Sequence, residues 1–403
     1  MEQTGKETVE NDRDTIVTNR KEDTASSHTV TINAEDKNDK VEVKLKDVNI
    51  DGRSQNKAAV SVTGSGNTTI ELDGSNTLKS GSGHAGLEHN KTDTSGELTI
   101  QDNDKNGSLK AAGGQYGAGI GGAGAANDAQ VKITGGKITA TGGEYGAGIG
   151  GGFKGSGDVT ISGGEIHANG GNYGAGIGGG DYSSGKVTIS GGEINATGGY
   201  LGAGIGGGEK GSGDVTITGG EITSATGGKY GAGIGGGKEG RGDVTIEGNT
   251  EVNAAGGTGG AGIGGGYGAK NNSNSTGNQI TIRSNENGSP TVNAVGGGTK
   301  KGIADIGGAG IGTGSKSDAN TAITLEGKVT IKATAGKGNV AIGTNGNEQV
   351  FTGLAGGTSI TRKDSDKNDI PPLPGDNVPT PSGGDTAGGG STGGGSTGGG
   401  STG

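Results

Sequence analysis

The 403-residue chain has no cysteine, no tryptophan and only 6 prolines, and aromatic residues make up 2% of it. The missing cysteine removes disulfides and leaves the redox compartment unmarked. So few aromatics argue against an ordinary globular core. A hydrophobic fraction of 26% would mean disorder in a patternless chain. No apolar run is long enough for a transmembrane helix, so membrane insertion is not expected. The formal net charge of −10 has the wrong sign for phosphate backbones, so nucleic acid is not an expected partner. Met1 to Asn11 is polar and lacks a signal-peptide pattern. If the protein is exported, its signal has been removed.

What the chain does have is glycine, 102 residues of it, and a strict rhythm. The phrase Gly-Ala-Gly-Ile-Gly-Gly, or a close variant, is centred on Ile120, Ile149, Ile177, Ile205, Ile234 and Ile263, at steps of 28 or 29 residues. A fixed step of this size marks a solenoid, in which each repeat is one layer. A second phrase, apolar-polar-apolar, precedes each glycine run, as in Val131-Lys-Ile133, Val159-Thr-Ile161 and Val187-Thr-Ile189. Related triplets from Val43-Lys-Leu45 to Ile323-Thr-Leu325 bring the count to ten layers.

Each layer reads as three short strands rich in β-branched residues and bounded by glycine. In one layer these are Val159 to Ser162, Glu165 to Asn169 and Gly174 to Gly178, with Val159, Ile161, Ile166, Ala168, Ala175 and Ile177 facing inward. The expected fold is all-β: a right-handed single-stranded parallel β-helix of about ten coils, three strands per coil. The division is a polar segment or cap over 1–27, the helix over 28–360, and a Pro/Gly/Ser/Thr-rich linker over 361–403. Such a tail implies that the rod is hung from something else.

Chemistry is harder to find. Gly146-Ala-Gly148-Ile-Gly150-Gly151 matches a dinucleotide fingerprint in letters only, because no helix follows it. With Ala147 and Ile149 inward, the alternate glycines Gly148, Gly176, Gly204 and Gly233 would leave one face as bare backbone. That face is either a platform for a sugar chain or a surface that another segment packs against. Tyr116, Tyr145, Tyr173 and Tyr230 precede the glycine runs, with Leu201 in that place in one layer. On an unbroken strand Tyr145 shares the parity of Ala147, which favours an internal aromatic ladder. The alternative is an exposed column that binds sugar rings.

Glu165, Glu193 and Glu221 form an acidic column, read first as solvated surface. If the column holds a cation, calcium is the one that suits oxygen ligands; no cofactor is otherwise required. Asp158, Lys186, Asp214 and Asp243 form a mixed column that neutralises itself. His84 and His89 are read as surface residues. No layer gathers acids and bases together, so an enzyme is not expected. Outward Thr160, Thr188, Thr216 and Thr245 raise ice binding as a further alternative, weakened by an incomplete second rank.

Val159-Thr-Ile-Ser-Gly-Gly-Glu-Ile166, with Gly174 to Gly180, resembles the glycine-rich repeats of large Gram-positive surface proteins. Val41 to Asp51 and Ile70 to Lys79 are similar to the carbohydrate-binding β-helix domain of clostridial cell-surface proteins. The likeness covers about residues 40 to 350. It implies a secreted or wall-associated location, and a family whose members bind acidic plant polysaccharide and calcium. No family metal motif maps onto residues of this chain. The expected function is therefore a non-catalytic module binding polysaccharide or a host-surface glycan, or acting as an adhesin, with side-by-side self-association left open. A structural stalk, a polysaccharide lyase-like enzyme and an ice-binding protein are the alternatives, in that order.

Overall fold

The computed structural model describes residues 15–19, 24–125, 128–274, 276–298, 307–374 and 376. Alternation of apolar and polar residues fixes which side of each strand is buried, and layer-to-layer identity fixes the register. Val131, Val159, Val187, Val215 and Val244 lie side by side in one sheet, as do Ile138, Ile166, Ile194 and Ile222 in the next. Ile120, Ile149, Ile177, Ile205, Ile234 and Ile263 complete the third. All are at most 2% exposed. Burying one such side chain stabilises by about 1.5–3 kcal/mol, so a core of aliphatic ladders needs no bulky aromatics. Phe351, at the C-terminal end, is the one aromatic side chain in the core among the described residues.

The result is a right-handed parallel β-helix of about twelve turns, with three sheets of 11, 12 and 12 strands. One turn runs Gly157–Ile161 in the first sheet, Glu165–Asn169 in the second and Ile177–Gly178 in the third. The rod is roughly 55 Å long at the usual strand spacing. It has more turns than the ten triplets suggest because strands without the full phrase join at both ends. Thr15–Thr18 pairs with Lys40–Lys46, inside the stretch expected as a polar segment. Ser359–Lys363 pairs with Thr330–Thr334 and crosses the expected linker boundary at 361. The tail beyond Asp376 lies outside the described residues.

Parallel pairing gives way to two antiparallel hairpins at the C-terminal end, Gly343 with Glu348 and Arg362 with Ile370. Arg362 is 4% exposed, bonds Asp376 at 2.6 Å and the Gln349 carbonyl at 2.9 Å, and lies over the Phe351 ring. This plug covers the open edge that would otherwise template association.

Candidate functional site

From Ile120–Gly121 to Ile311–Gly312 the third-sheet strands are only two residues long, and the loops on either side of them meet outside. The N–H of Phe153 donates to the Tyr116 carbonyl at 2.7 Å, Asp181 to Tyr145 at 2.8 Å, and Glu209 to Tyr173 at 2.8 Å. Lys238 donates to Leu201, and Tyr267 to Tyr230, both at 2.8 Å. Two side-chain columns therefore run up one side of the rod. One reads Tyr116, Tyr145, Tyr173, Leu201, Tyr230; the other reads Phe153, Asp181, Glu209, Lys238, Tyr267.

The tyrosines stand outside, not in the core. A turn at Glu144 and Tyr145 interrupts the strand before Ala147, so strand parity does not carry back to the ring. Tyr116, Tyr145 and Tyr173 form a ladder with centroids 5.2 and 5.0 Å apart and planes within 9°. Phe153 tilts against the first two. Leu201, 9% exposed, breaks the stack. Beyond it Tyr230 is not joined to that ladder; it packs on Tyr267 at 5.0 Å and Tyr200 at 5.8 Å. Tyr182 and Tyr200 are 51% and 50% exposed, the most exposed aromatics described. All seven tyrosines of the chain, and Phe153, thus share one strip.

Rings in the ladder cover each other's faces, so they present edges and hydroxyls, which donate and accept hydrogen bonds. Glu144, with burial adding to it, pushes the Tyr145 phenol up and keeps it a donor. Lysines lie over the other rings: Lys210 over Tyr182 at 4.5 Å, Lys229 over Tyr200 and Tyr230 at 5.2 and 5.0 Å, Lys154 over Phe153 at 5.1 Å. Lys154, Tyr182, Lys210 and Glu239 hold these places with left-handed backbones, φ 57 to 64°.

Gly148, Gly176, Gly204 and Gly233 are buried, which corrects the platform reading. A Cβ on Gly176 would lie 2.6 Å from the Gly204 carbonyl oxygen and 2.8 Å from the Thr197 nitrogen. Glycine is required there because neighbouring backbone occupies the side-chain position.

Glu165, Glu193 and Glu221 do stack in register. Glu165 is engaged by Lys137 at 2.6 Å and His167 at 3.0 Å, and these hydrogen bonds hold its carboxyl below the usual range. The acids that converge are others. Among the described residues one trio, Glu71, Asp102 and Asp104, brings ligand atoms within 4.8 Å of one another. Its signal is legible: Asp102-Asn-Asp104-Lys-Asn106-Gly107 begins like a calcium loop. Glu71 already accepts the Asn103 N–H and Nδ2, each at 2.8 Å.

In the mixed column Lys186 reaches Asp158 at 3.8 Å, Lys91 reaches the same acid at 3.1 Å, and Arg241 reaches Asp243 at 3.5 Å. This charged rank flanks Thr160, Thr188, Thr216 and Thr245 and denies them a second rank of threonine. Of the two histidines read as surface, His84 bonds Glu88 at 2.8 Å, while His89 is buried against the Val62 and Gly96 carbonyls. Burial lowers the His89 pKa. No described helix is long and apolar enough to cross a membrane.

Residue 181 escaped sequence reasoning altogether. Asp181 is 2% exposed, and its Oδ1 has no hydrogen-bond partner. Burial, and then Glu209, raises its pKa to about 6. Its column is not a repeated phrase, so no periodic signal marks it.

Residues 131–153, 159–181, 187–209, 215–238 and 244–267 match the family described as beta helix repeat. No curated protein and no solved structure matches the chain. The five matched repeats coincide with successive observed coils, so this stretch of the chain is similar to that family.

Proposed function

We propose that the protein is a non-catalytic, secreted or cell-surface rod that binds an extended glycan along its tyrosine strip. One observation carries the reading. A chain with 2% aromatic residues sets all seven tyrosines on one side, over coils that elsewhere present Thr, Ser, Asn and paired charges. Edge-on phenols and half-exposed rings suit a sugar chain, whose hydroxyls and C–H faces alternate. A linear ligand matches sites repeated at each coil step, about 4.8 Å. The grooves elsewhere hold ion pairs, such as Lys137 with Glu165 and Lys91 with Asp158, which supports binding rather than turnover. The resemblance to Gram-positive and clostridial surface repeats points the same way for location.

The test is a panel of immobilised plant, microbial and host glycans probed with the wild type and with a Tyr145→Ala/Tyr173→Ala double variant. Binding to an extended glycan, weakened at least tenfold in the variant, is expected. Silence across the panel would leave a spacer rod instead. Release of reducing ends from a bound polymer would make it an enzyme.

A further inference from the structure

Within the tyrosine strip the facing columns change character along the axis. Tyr116 faces Phe153 and Tyr230 faces Tyr267, aromatic against aromatic. Between them Tyr145 faces Asp181 and Tyr173 faces Glu209, aromatic against acid. The turn itself does not demand acids, since Phe153, Lys238 and Tyr267 fill the same place in other coils. The two acids differ in what they already hold. Glu209 accepts Lys238 at 2.9 Å. Among the described residues Asp181 has no ion pair, and its Oδ1 is sealed from water with no hydrogen-bond partner. A buried carboxylate oxygen without a donor is among the least favourable arrangements a fold retains.

The same strip shows what completes such a place. Ammonium groups already sit over Tyr182, Tyr200 and Tyr230, each supplied by a lysine of the chain. Among the described residues no lysine comes within ion-pair distance of Asp181; Lys154 and Lys210 act on it only through space.

We infer that Asp181, with Tyr145, Tyr173 and Glu209, forms a subsite for the protonated amine of an amino sugar in the bound glycan. The inference rests on the glycan-binding reading of the strip. The ammonium donates to Oδ1 and lies beside electron-rich rings, so the chain of choice carries free amines rather than acetamides. Binding opens the cover over the carboxyl, and the charge-assisted hydrogen bond offsets that cost.

The experiment compares chitin hexasaccharides, fully acetylated or fully deacetylated, by calorimetry at neutral pH and slightly below. Wild-type protein is expected to bind the deacetylated form roughly tenfold tighter or better, as one charge-assisted hydrogen bond allows. Asp181→Asn keeps the shape and removes the charge, and it should erase that preference. A polycation also adheres loosely to a chain of net charge −10, and changing one residue barely alters that background. A preference that survives in Asp181→Asn therefore overturns the subsite. So does equal binding of the two forms by the wild type. If neither hexasaccharide binds while a neutral glycan does, the subsite falls and the strip reading stands. If no glycan binds at all, both fall.

Discussion

Between the first and second sheets the chain turns at Gly136, Gly164, Gly192 and Gly220, with φ from 80 to 95°. Before the first sheet it turns at Lys154, Tyr182, Lys210 and Glu239, with φ from 57 to 64°. Both sets lie in the region that side chains avoid, at a cost of roughly 1–2 kcal/mol per residue. At the first turn glycine removes that cost and nothing projects. At the second the cost is borne, and the side chains that result line the tyrosine strip. The contrast separates backbone need from side-chain need: one turn is geometry, the other is a surface.

The largest effect expected from breaking this contrast is at a glycine that geometry demands. Gly178 has φ 128°, and a methyl there would drive into the Gly206 carbonyl oxygen. Gly178→Ala should cost about 4 kcal/mol or more, read as a collapse of the melting temperature or loss of soluble protein. Next comes the ladder. Tyr145→Ala should cost about 1–2 kcal/mol in chemical denaturation, from two lost stacking contacts on a partly exposed ring. A stability unchanged by that substitution would mean that the rings do not support one another.

A smaller effect follows from Asp181. Its folded pKa, about 6, is raised from 3.8. The folded state therefore holds a proton that the unfolded state has released. This contribution is fully present below the unfolded value and is lost as pH rises through about 6. Wild type should melt higher on the acid side of 6 than on the alkaline side, by roughly 1–3 °C, and Asp181→Asn should flatten the difference. Asp376 works in the opposite sense. Burial pushes its carboxyl up, but the N–H groups of Phe351 and Leu373 and the Arg362 guanidinium hold it below its usual value. The plug it anchors weakens only in stronger acid. Smallest of all is Lys210→Gly, expected to change stability by less than about 1 kcal/mol, because relief of the left-handed backbone is set against glycine's chain entropy. Its readout is binding, which should fall.

The repeat made most of the fold legible. Matching Val and Ile positions 28 or 29 residues apart can bury themselves together only by stacking in register, and they do. The site was legible in part. Tyr116, Tyr145 and Tyr173 were visible as a column, but their side of the wall was not, because parity counts fail where a turn replaces a strand. The alternate glycines pointed outward on the same false continuity, and the neighbouring coil's backbone fills their space. Thr15–Thr18 lacked the phrase, so its coil went uncounted. Asp181 left no trace, since its importance lies in a missing partner, which only coordinates reveal.

The central claim, that ligand lies along the tyrosine strip, has a built-in reporter. The chain has no tryptophan and all seven tyrosines lie on the strip, so tyrosine emission arises there and nowhere else. Titration with a glycan selected from the panel should give a saturable change in tyrosine emission, with a midpoint equal to the calorimetric dissociation constant. Calorimetric binding of the same glycan with emission unmoved would place the ligand on another side of the rod and contradict the account.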